Sequence, residues 1–118
     1  MNEKRIEPRW QINQAADLTI SGGVKPISCR VEDLSPGGMC ISMRRNLFPE
    51  VFSNFSLELS DNFVLDLSAH VAWQDQGEEK NIFGLAFNRV EESLRCKIHE
   101  YVKISFPEVM ARPWRGGM

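Results

Sequence analysis

Apolar and polar residues alternate along the middle of the chain, and this pattern predicts half-buried β-strands. From position 63 to position 74, apolar side chains take the odd positions: Phe63, Leu65, Leu67, Ala69, Val71 and Trp73. Polar residues fill most positions between them, so the sequence predicts one long strand here. A shorter alternating segment at 55–60 precedes it, and Asp61-Asn62 is the predicted hairpin turn between the two.

Four further short segments have the same alternating pattern. A first strand is predicted from about Gln11 to Ile20, and the others centre on residues 27–31, 39–43 and 83–87. Six short antiparallel strands favour a closed or nearly closed barrel, because closure removes the exposed edges of a sheet. The predicted fold class is therefore mainly β, a six-stranded antiparallel β-barrel followed by a C-terminal α-helix.

The period of the apolar residues changes between Glu91 and Ser105. Here the apolar residues recur at helical spacing, at Leu94, Ile98, Tyr101 and Val102. Acidic residues in the first turn and Pro107 after the last turn mark the two ends of a predicted helix. We expect this amphipathic helix to cover one mouth or side of the barrel. Residues 107–118 lack periodicity, and Trp114 within them is either a partner contact or packs back onto the barrel.

Composition is typical of one ordinary globular domain. The chain has 118 residues, of which 42% are hydrophobic and 25% charged, and this is enough for a single core. A net charge of −2 argues against a general DNA or RNA binder, whose domain is normally basic. The apolar runs are too short to span a membrane, and residues 1–20 contain no apolar segment of a signal peptide. We therefore expect a cytoplasmic protein without membrane insertion.

Residues with catalytic or metal-binding chemistry are sparse. Cys29, Cys40 and Cys96 are an odd number without a close pairing, which indicates reduced thiols. The two histidines, His70 and His99, do not combine with them at metal-ligand spacing. No nucleophile motif or paired carboxylates are visible. The sequence therefore predicts neither an enzyme nor a metal site.

Two motifs carry the functional information. Arg5 and Arg9 form R-x-x-x-R near the N-terminus, and D-x-S-x-x-G follows about two dozen residues later at Asp33, Ser35 and Gly38. An arginine guanidinium binds phosphate bidentately, stacks on aromatic faces and pairs with the O6/N7 edge of guanine. The second motif supplies hydrogen-bonding groups at a strand end and a glycine that permits close backbone approach. Taken singly, the motifs also fit solvated terminal charges and an ordinary turn.

Together the two motifs resemble the signature of the PilZ domain, a small bacterial β-barrel receptor for the second messenger cyclic di-GMP. The segment Phe83-Gly84-Leu85-Ala86-Phe87 also looks like PilZ sequences, and the resemblance extends from about Arg5 to Phe106. It implies that the nucleotide lies on the outer surface of the barrel. The implied organisation is an N-terminal ligand-clamp segment at 1–10, the barrel and helix at 11–106, and a tail at 107–118.

The residues that the resemblance assigns to the ligand come from both motifs and the position before the first: Lys4, Arg5, Arg9, Asp33, Ser35 and Gly38. In this family a basic residue before R-x-x-x-R is linked to binding of an intercalated ligand pair. Lys4 is basic but lacks the flat fork of arginine, so it favours the pair only slightly.

The function implied is a receptor without catalytic activity. Cyclic di-GMP would reorder the N-terminal segment, and the signal would pass to a partner protein of the motility, exopolysaccharide or pilus machinery. The ligand is not a cofactor, and no cofactor is implied. The alternative is a protein-interaction adaptor that has the PilZ fold and does not bind cyclic di-GMP. Retention of both motifs argues against the adaptor.

Overall fold

The structure, a computed structural model, describes residues 8–23, 25–60 and 63–111. Its seven strands are β1 (Trp10–Ile20), β2 (Ile27–Ser35), β3 (Gly38–Met43), β4 (Phe55–Ser60), β5 (Phe63–Leu67), β6 (Ala69–Gln76) and β7 (Asn81–Phe87). A 3-10 segment, Pro49–Ser53, precedes β4, and the helices α1 (Glu92–Ser105) and α2 (Pro107–Ala111) follow β7. The strands form one antiparallel sheet in the order β5-β4-β1-β2-β3-β7-β6.

The predicted fold class is confirmed, with one correction to the number of strands. The long strand expected over residues 63–74 is broken at Ser68 into β5 and β6, which gives seven strands instead of six. β5 and β6 are consecutive in the chain but lie at opposite edges of the sheet. The sheet therefore curls, so that its two edges come close to each other. Periodicity does not reveal the break, because Leu67 and Ala69 on either side of it are both buried.

The inner face of the curled sheet encloses a single apolar core. Phe52, from the 3-10 segment, is fully buried and contacts Phe55 and Phe83, with ring centroids 5.5 and 5.1 Å apart. The 3-10 segment packs against β6. It therefore covers the edge of the sheet that β6 would otherwise expose.

Helix α1 covers the other edge, as the amphipathic pattern predicted. Its residues Ile98, Tyr101 and Val102 are buried, and the Tyr101 ring stacks on Phe63 with 4.1 Å between centroids. Lys97 Nζ donates a hydrogen bond of 3.0 Å to the carbonyl oxygen of Val64 on β5. A charged side chain at an edge strand discourages pairing with another chain.

Several of the predicted features lie outside the described residues: the Asp61-Asn62 turn, Lys4, Arg5 and Trp114. In the predicted tail, Pro107–Ala111 forms the short helix α2. Neither α1 nor α2 has the length and apolar character needed to cross a membrane.

Candidate ligand-binding site

The D-x-S-x-x-G motif forms the end of β2, a tight turn and the first residue of β3. The hydroxyl of Ser35 accepts a hydrogen bond from the amide of Gly37 at 3.3 Å and donates one to the carbonyl oxygen of Gly38 at 3.2 Å. Ser35 and Gly38 are also partners in the β2–β3 ladder. The Ser35 side chain, 9% exposed, therefore holds the turn closed.

Gly38 is required by the packing of one strand on another. A Cβ atom at this position would overlap the carbonyl oxygen of Leu85 in β7 and lie 3.4 Å from the Cα atom of Ala86. Both obstacles are backbone atoms of a central strand, which cannot move aside cheaply. The close approach of β3 to β7 alone therefore accounts for glycine here.

A bulge in β2 places two acidic residues side by side on the outer face of the sheet, the face away from the core. Val31 is paired with Ile41, and Asp33 with Cys40, so Glu32 is the extra residue of the bulge. The burial pattern shows the same irregularity, since two half-buried acidic residues stand between the buried Val31 and Leu34. The bulge thereby brings a second carboxylate beside the motif aspartate.

Arg9 and Asp33 bring the two motifs together. Arg9 Nη2 lies 3.7 Å from Asp33 Oδ1, with the arginine side chain 57% exposed and the aspartate side chain 19% exposed. Burial raises the pKa of the Asp33 carboxyl and Glu32 adds to the rise, while Arg9 and the backbone amide of Cys40 oppose it. A pair this long and exposed is weak. The guanidinium of Arg9 can therefore turn towards an anionic ligand.

Small side chains form a trough on the outer face beside this pair. Two rows of paired residues cross the strands β2, β3, β7 and β6: Asp33–Cys40–Gly84–Trp73 and Ser35–Gly38–Ala86–His70. The two middle members of each row make up what we term the outer floor: Gly38, Cys40, Gly84 and Ala86. Asp33 and Trp73 are the larger residues at the two ends of the first row, and we call the strip between them the trough, whose Gly84 end is covered by the Trp73 ring.

Trp73 is a site candidate that the sequence placed wrongly, in the inward-facing row. A bulge between Val71 and Trp73 reverses its direction, and the side chain is 46% exposed on the outer face. A Cβ atom on Gly84 would overlap the indole ring and lie 2.7 Å from Trp73 Cδ1, so the ring rests directly on this glycine. The absence of a side chain at Gly84 thus lets the indole ring lie over the outer floor. The pairing of Trp73 with Gly84 depends on register between strands, so periodicity alone does not show it.

His70 ends the second row on β6. Its Nδ1 lies 2.8 Å from Asn88 Oδ1, and Asn88 Nδ2 donates to the hydroxyl of Ser68 at 2.8 Å. The side chain of Asn88 therefore links His70 to Ser68. The sequence indicated only an isolated histidine here.

The cysteines have the character of buried, unreactive thiols, apart from the exposed Cys96. Burial is the main cause that raises the pKa of Cys40 in the outer floor to about 11, and that of Cys29 to about 12. A neutral thiol is a poor nucleophile and metal ligand. Across the described ranges, no group of three histidine, cysteine or acidic residues is arranged to hold a metal ion.

Solved structures with a similar fold include YcgR from Escherichia coli in complex with c-di-GMP, with a TM-score of 0.67 and 15% identity over 92% of this chain and 48% of that chain. The PilZ domain of YcgR with c-di-GMP matches with a TM-score of 0.65 and 14% identity, over 94% of this chain and all (100%) of that chain. The MrkH–c-di-GMP complex from K. pneumonia has a TM-score of 0.67 and 13% identity, over 95% and 56% of the two chains.

At these identities the likeness establishes the fold, and this chain spans about half the length of the YcgR and MrkH chains. No curated protein sequence matches it. The family model described as "PilZ domain" matches residues 3–103, which is most of the sequence and includes both motifs. The chain therefore belongs to the PilZ domain family.

Proposed function

We propose that this domain binds cyclic di-GMP on its outer face, over the trough between the Arg9–Asp33 pair and Trp73. The observation that carries the proposal is the 3.7 Å approach of Arg9 to Asp33 beside the outer floor. A nucleotide that carries both phosphates and guanines needs cations, hydrogen-bond acceptors and aromatic faces. This part of the outer face offers all three.

Each group of the trough has a chemical role in the proposed complex. Arg9 binds a phosphate, because its guanidinium is a permanently charged fork with paired donors. The carboxylate of Asp33 accepts hydrogen bonds from the N–H groups of a guanine edge, which an ionised carboxylate suits because it only accepts. Trp73 stacks on a base. Lys4 and Arg5 lie outside the described residues, and their contacts with the ligand stay predictions.

PilZ domains are in general ligand-binding domains and not enzymes, and we propose that this one acts in the same way, in the cytoplasm. Ordering of the N-terminal segment on the ligand would change the surface that a partner protein reads, whether of the motility, exopolysaccharide or pilus machinery. The entropy lost on ordering would be offset by charge-assisted hydrogen bonds.

One observation favours the alternative of an adaptor that does not use the nucleotide. Ser35 closes the turn with two hydrogen bonds, and Gly38 avoids a collision with the backbone of β7. Two of the three residues of the D-x-S-x-x-G motif are thus explained by folding alone. The decisive residues are therefore Arg9 and Asp33, whose ion pair is too long and too exposed to contribute much to the fold.

Calorimetric titration with cyclic di-GMP, with GTP and cyclic GMP as controls, tests the proposal. We expect the wild-type protein to bind cyclic di-GMP and Arg9→Ala to bind at least about tenfold more weakly, because a charge-assisted contact contributes about 1.5–3 kcal/mol. Arg45→Ala, an exposed arginine outside the trough, is the matched control. Affinity should also fall as salt is raised. A folded wild-type protein that does not bind cyclic di-GMP would support the adaptor.

A further inference from the structure

The hairpin between β6 and β7 reaches across the sheet to the edge of the trough. Its loop, residues 77–80, is closed by a hydrogen bond of 2.9 Å from the Gly77 amide to the Lys80 carbonyl oxygen. Lys80 Nζ then lies 3.8 Å from Glu32 Oε2 on β2. Because β3 stands between β7 and β2, the lysine side chain must cross the outer surface of β3 to make this contact.

Glu32 is held firmly, while its contact with Lys80 is loose. The hydroxyl of Ser42, which is 5% exposed, donates a hydrogen bond of 2.6 Å to the same oxygen, Glu32 Oε2. The lysine side chain is 57% exposed and the glutamate side chain 27% exposed. An ion pair of this length and exposure contributes little. A stronger anion can therefore draw Lys80 away without disturbing Glu32.

The bulge in β2 thus carries two carboxylates, each facing its own cation. Asp33 faces Arg9, which precedes β1, and Glu32 faces Lys80, which precedes β7. Asp33 is paired with Cys40 of the outer floor, and Glu32 accepts a hydrogen bond from Ser42 two residues further along β3, so both ion pairs lie beside the same stretch of β3. Arg9 reaches this stretch from the β1 side and Lys80 from the β7 side, and both side chains are more than half exposed.

We infer that Lys80 is a further phosphate-binding residue, which exchanges Glu32 for a phosphate when the nucleotide binds. The inference rests on the proposed binding of cyclic di-GMP in the trough and names a contact within that site. The ligand carries two phosphates, and of the two cations described above, Arg9 approaches from the β1 side and Lys80 from the β7 side. An ammonium on a flexible stem binds phosphate as a point charge and can follow it over a short distance.

The exchange has a consequence for signalling. In the free protein, Lys80 lies against Glu32 of β2 without holding the hairpin there. In the complex, Lys80 ties the hairpin to the ligand, so the 77–80 loop shifts with occupancy of the trough. Glu78 and Glu79 in that loop are exposed. The loop therefore presents a charged surface whose position reports the ligand.

The primary test is the affinity of Lys80→Gln for cyclic di-GMP, measured by calorimetry at one fixed ionic strength. We expect binding about tenfold weaker than wild type, as for loss of one charge-assisted contact. Because the Lys80 side chain is mostly exposed, the melting temperature should not change. An affinity equal to that of a binding wild-type protein would overturn the inference and leave the proposed function standing. A wild-type protein that does not bind removes both.

A second variant distinguishes a direct contact of Lys80 with the phosphate from the electrostatic effect of the net charge of the loop. Glu79→Gln combined with Lys80→Gln restores the net charge of the loop, since one acidic and one basic group are neutralised together. If Lys80 contacts the phosphate, the double variant stays about tenfold weaker than wild type, since the contact is lost. If only the net field matters, the double variant regains wild-type affinity, and the inference fails.

Glu32→Gln tests the exchange itself. It frees Lys80 from its counter-ion and removes a negative charge near the phosphates, so binding should be at least as tight as in the wild type. Weaker binding would assign Glu32 to the ligand directly and contradict the exchange. Lys103→Gln, on the exposed surface of α1, is the matched lysine control and should bind as the wild type does.

Discussion

The inner and outer faces of β3 and β7 differ in the size of their side chains, although the same backbone carries both. Towards the core the two strands present large residues: Met39, Ile41, Phe83 and Leu85. Towards the outside they present the four small residues of the outer floor, with the larger Ile82 next to them near the β6–β7 loop. The core specifies the first set, because apolar volume must be filled there. The second set lies outside the core, so core volume does not specify it.

Two of the four small residues have a steric reason, and the reasons are of different kinds. The obstacle to a side chain at Gly38 is the backbone of β7, whereas the obstacle at Gly84 is the indole ring of Trp73. Backbone in the middle of a sheet is fixed, but a half-exposed side chain can turn away. We conclude that Gly38 serves the fold and that Gly84 serves the position of Trp73.

Phe83→Ala should have the largest effect on stability and should leave the trough unchanged. Phe83 is fully buried, so truncation should reduce the free energy of unfolding by about 3–5 kcal/mol, from lost burial and the cavity left behind. Ile82→Ala, its neighbour on the outer face of β7, should have a clearly smaller effect. Denaturant unfolding measures both, and equal losses would contradict the distinction between the faces.

The next largest effects should come from replacing Gly38 and Gly84 by alanine, one at a time, which should distinguish their two roles. Gly38→Ala should reduce the free energy of unfolding by about 1–3 kcal/mol, because a Cβ atom forces backbone apart. Gly84→Ala should cost less stability, since Trp73 can move, but should weaken binding of cyclic di-GMP. Paired measurements of melting temperature and affinity check this. A stable Gly38→Ala protein would show that β3 and β7 can separate without penalty.

The elements of this fold follow largely from residue periodicity, and its irregularities do not. The β-strand alternation and the change to helical spacing at α1 predicted the fold class. The break at Ser68 was missed because apolar alternation continues through it. The bulge before Trp73 was missed because one extra residue reverses a side chain without changing composition.

The candidate site was predictable only in the part that lies in contiguous motifs. Arg9 and Asp33 were identified as parts of two sequence patterns, and the structure brings them within 3.7 Å. Trp73 and Lys80 were not identified, because the β6–β7 hairpin reaches the trough only through the pairing of β7 with β3, which is distant in sequence. Register across four strands has no signature in a single sequence. Whether each residue contacts the ligand stays a prediction.

Trp73→Ala should weaken cyclic di-GMP binding with little loss of stability. Stacking on a base contributes about 1–3 kcal/mol, so affinity should fall about tenfold or more. The side chain is 46% exposed, and the melting temperature should therefore change little. Phe48→Ala removes an aromatic ring that is 79% exposed and away from the outer floor, and it should alter neither quantity. Unchanged affinity in Trp73→Ala would exclude the indole from the site.

Asp33→Asn should give the smallest effect, and its sign distinguishes a binding residue from a structural one. Folding raises the pKa of Asp33 above its ordinary value of 3.8, chiefly through burial. The ionised carboxylate is therefore disfavoured in the folded state, and its cost grows as the pH rises through that raised pKa. Asp33→Asn should be slightly more stable than wild type at neutral pH and should bind cyclic di-GMP more weakly. The gain in stability should vanish below pH 3.8, where the wild-type carboxyl is neutral in both states. Thermal unfolding at several pH values measures it. A variant that is less stable at neutral pH would show that the pair with Arg9 supports the fold.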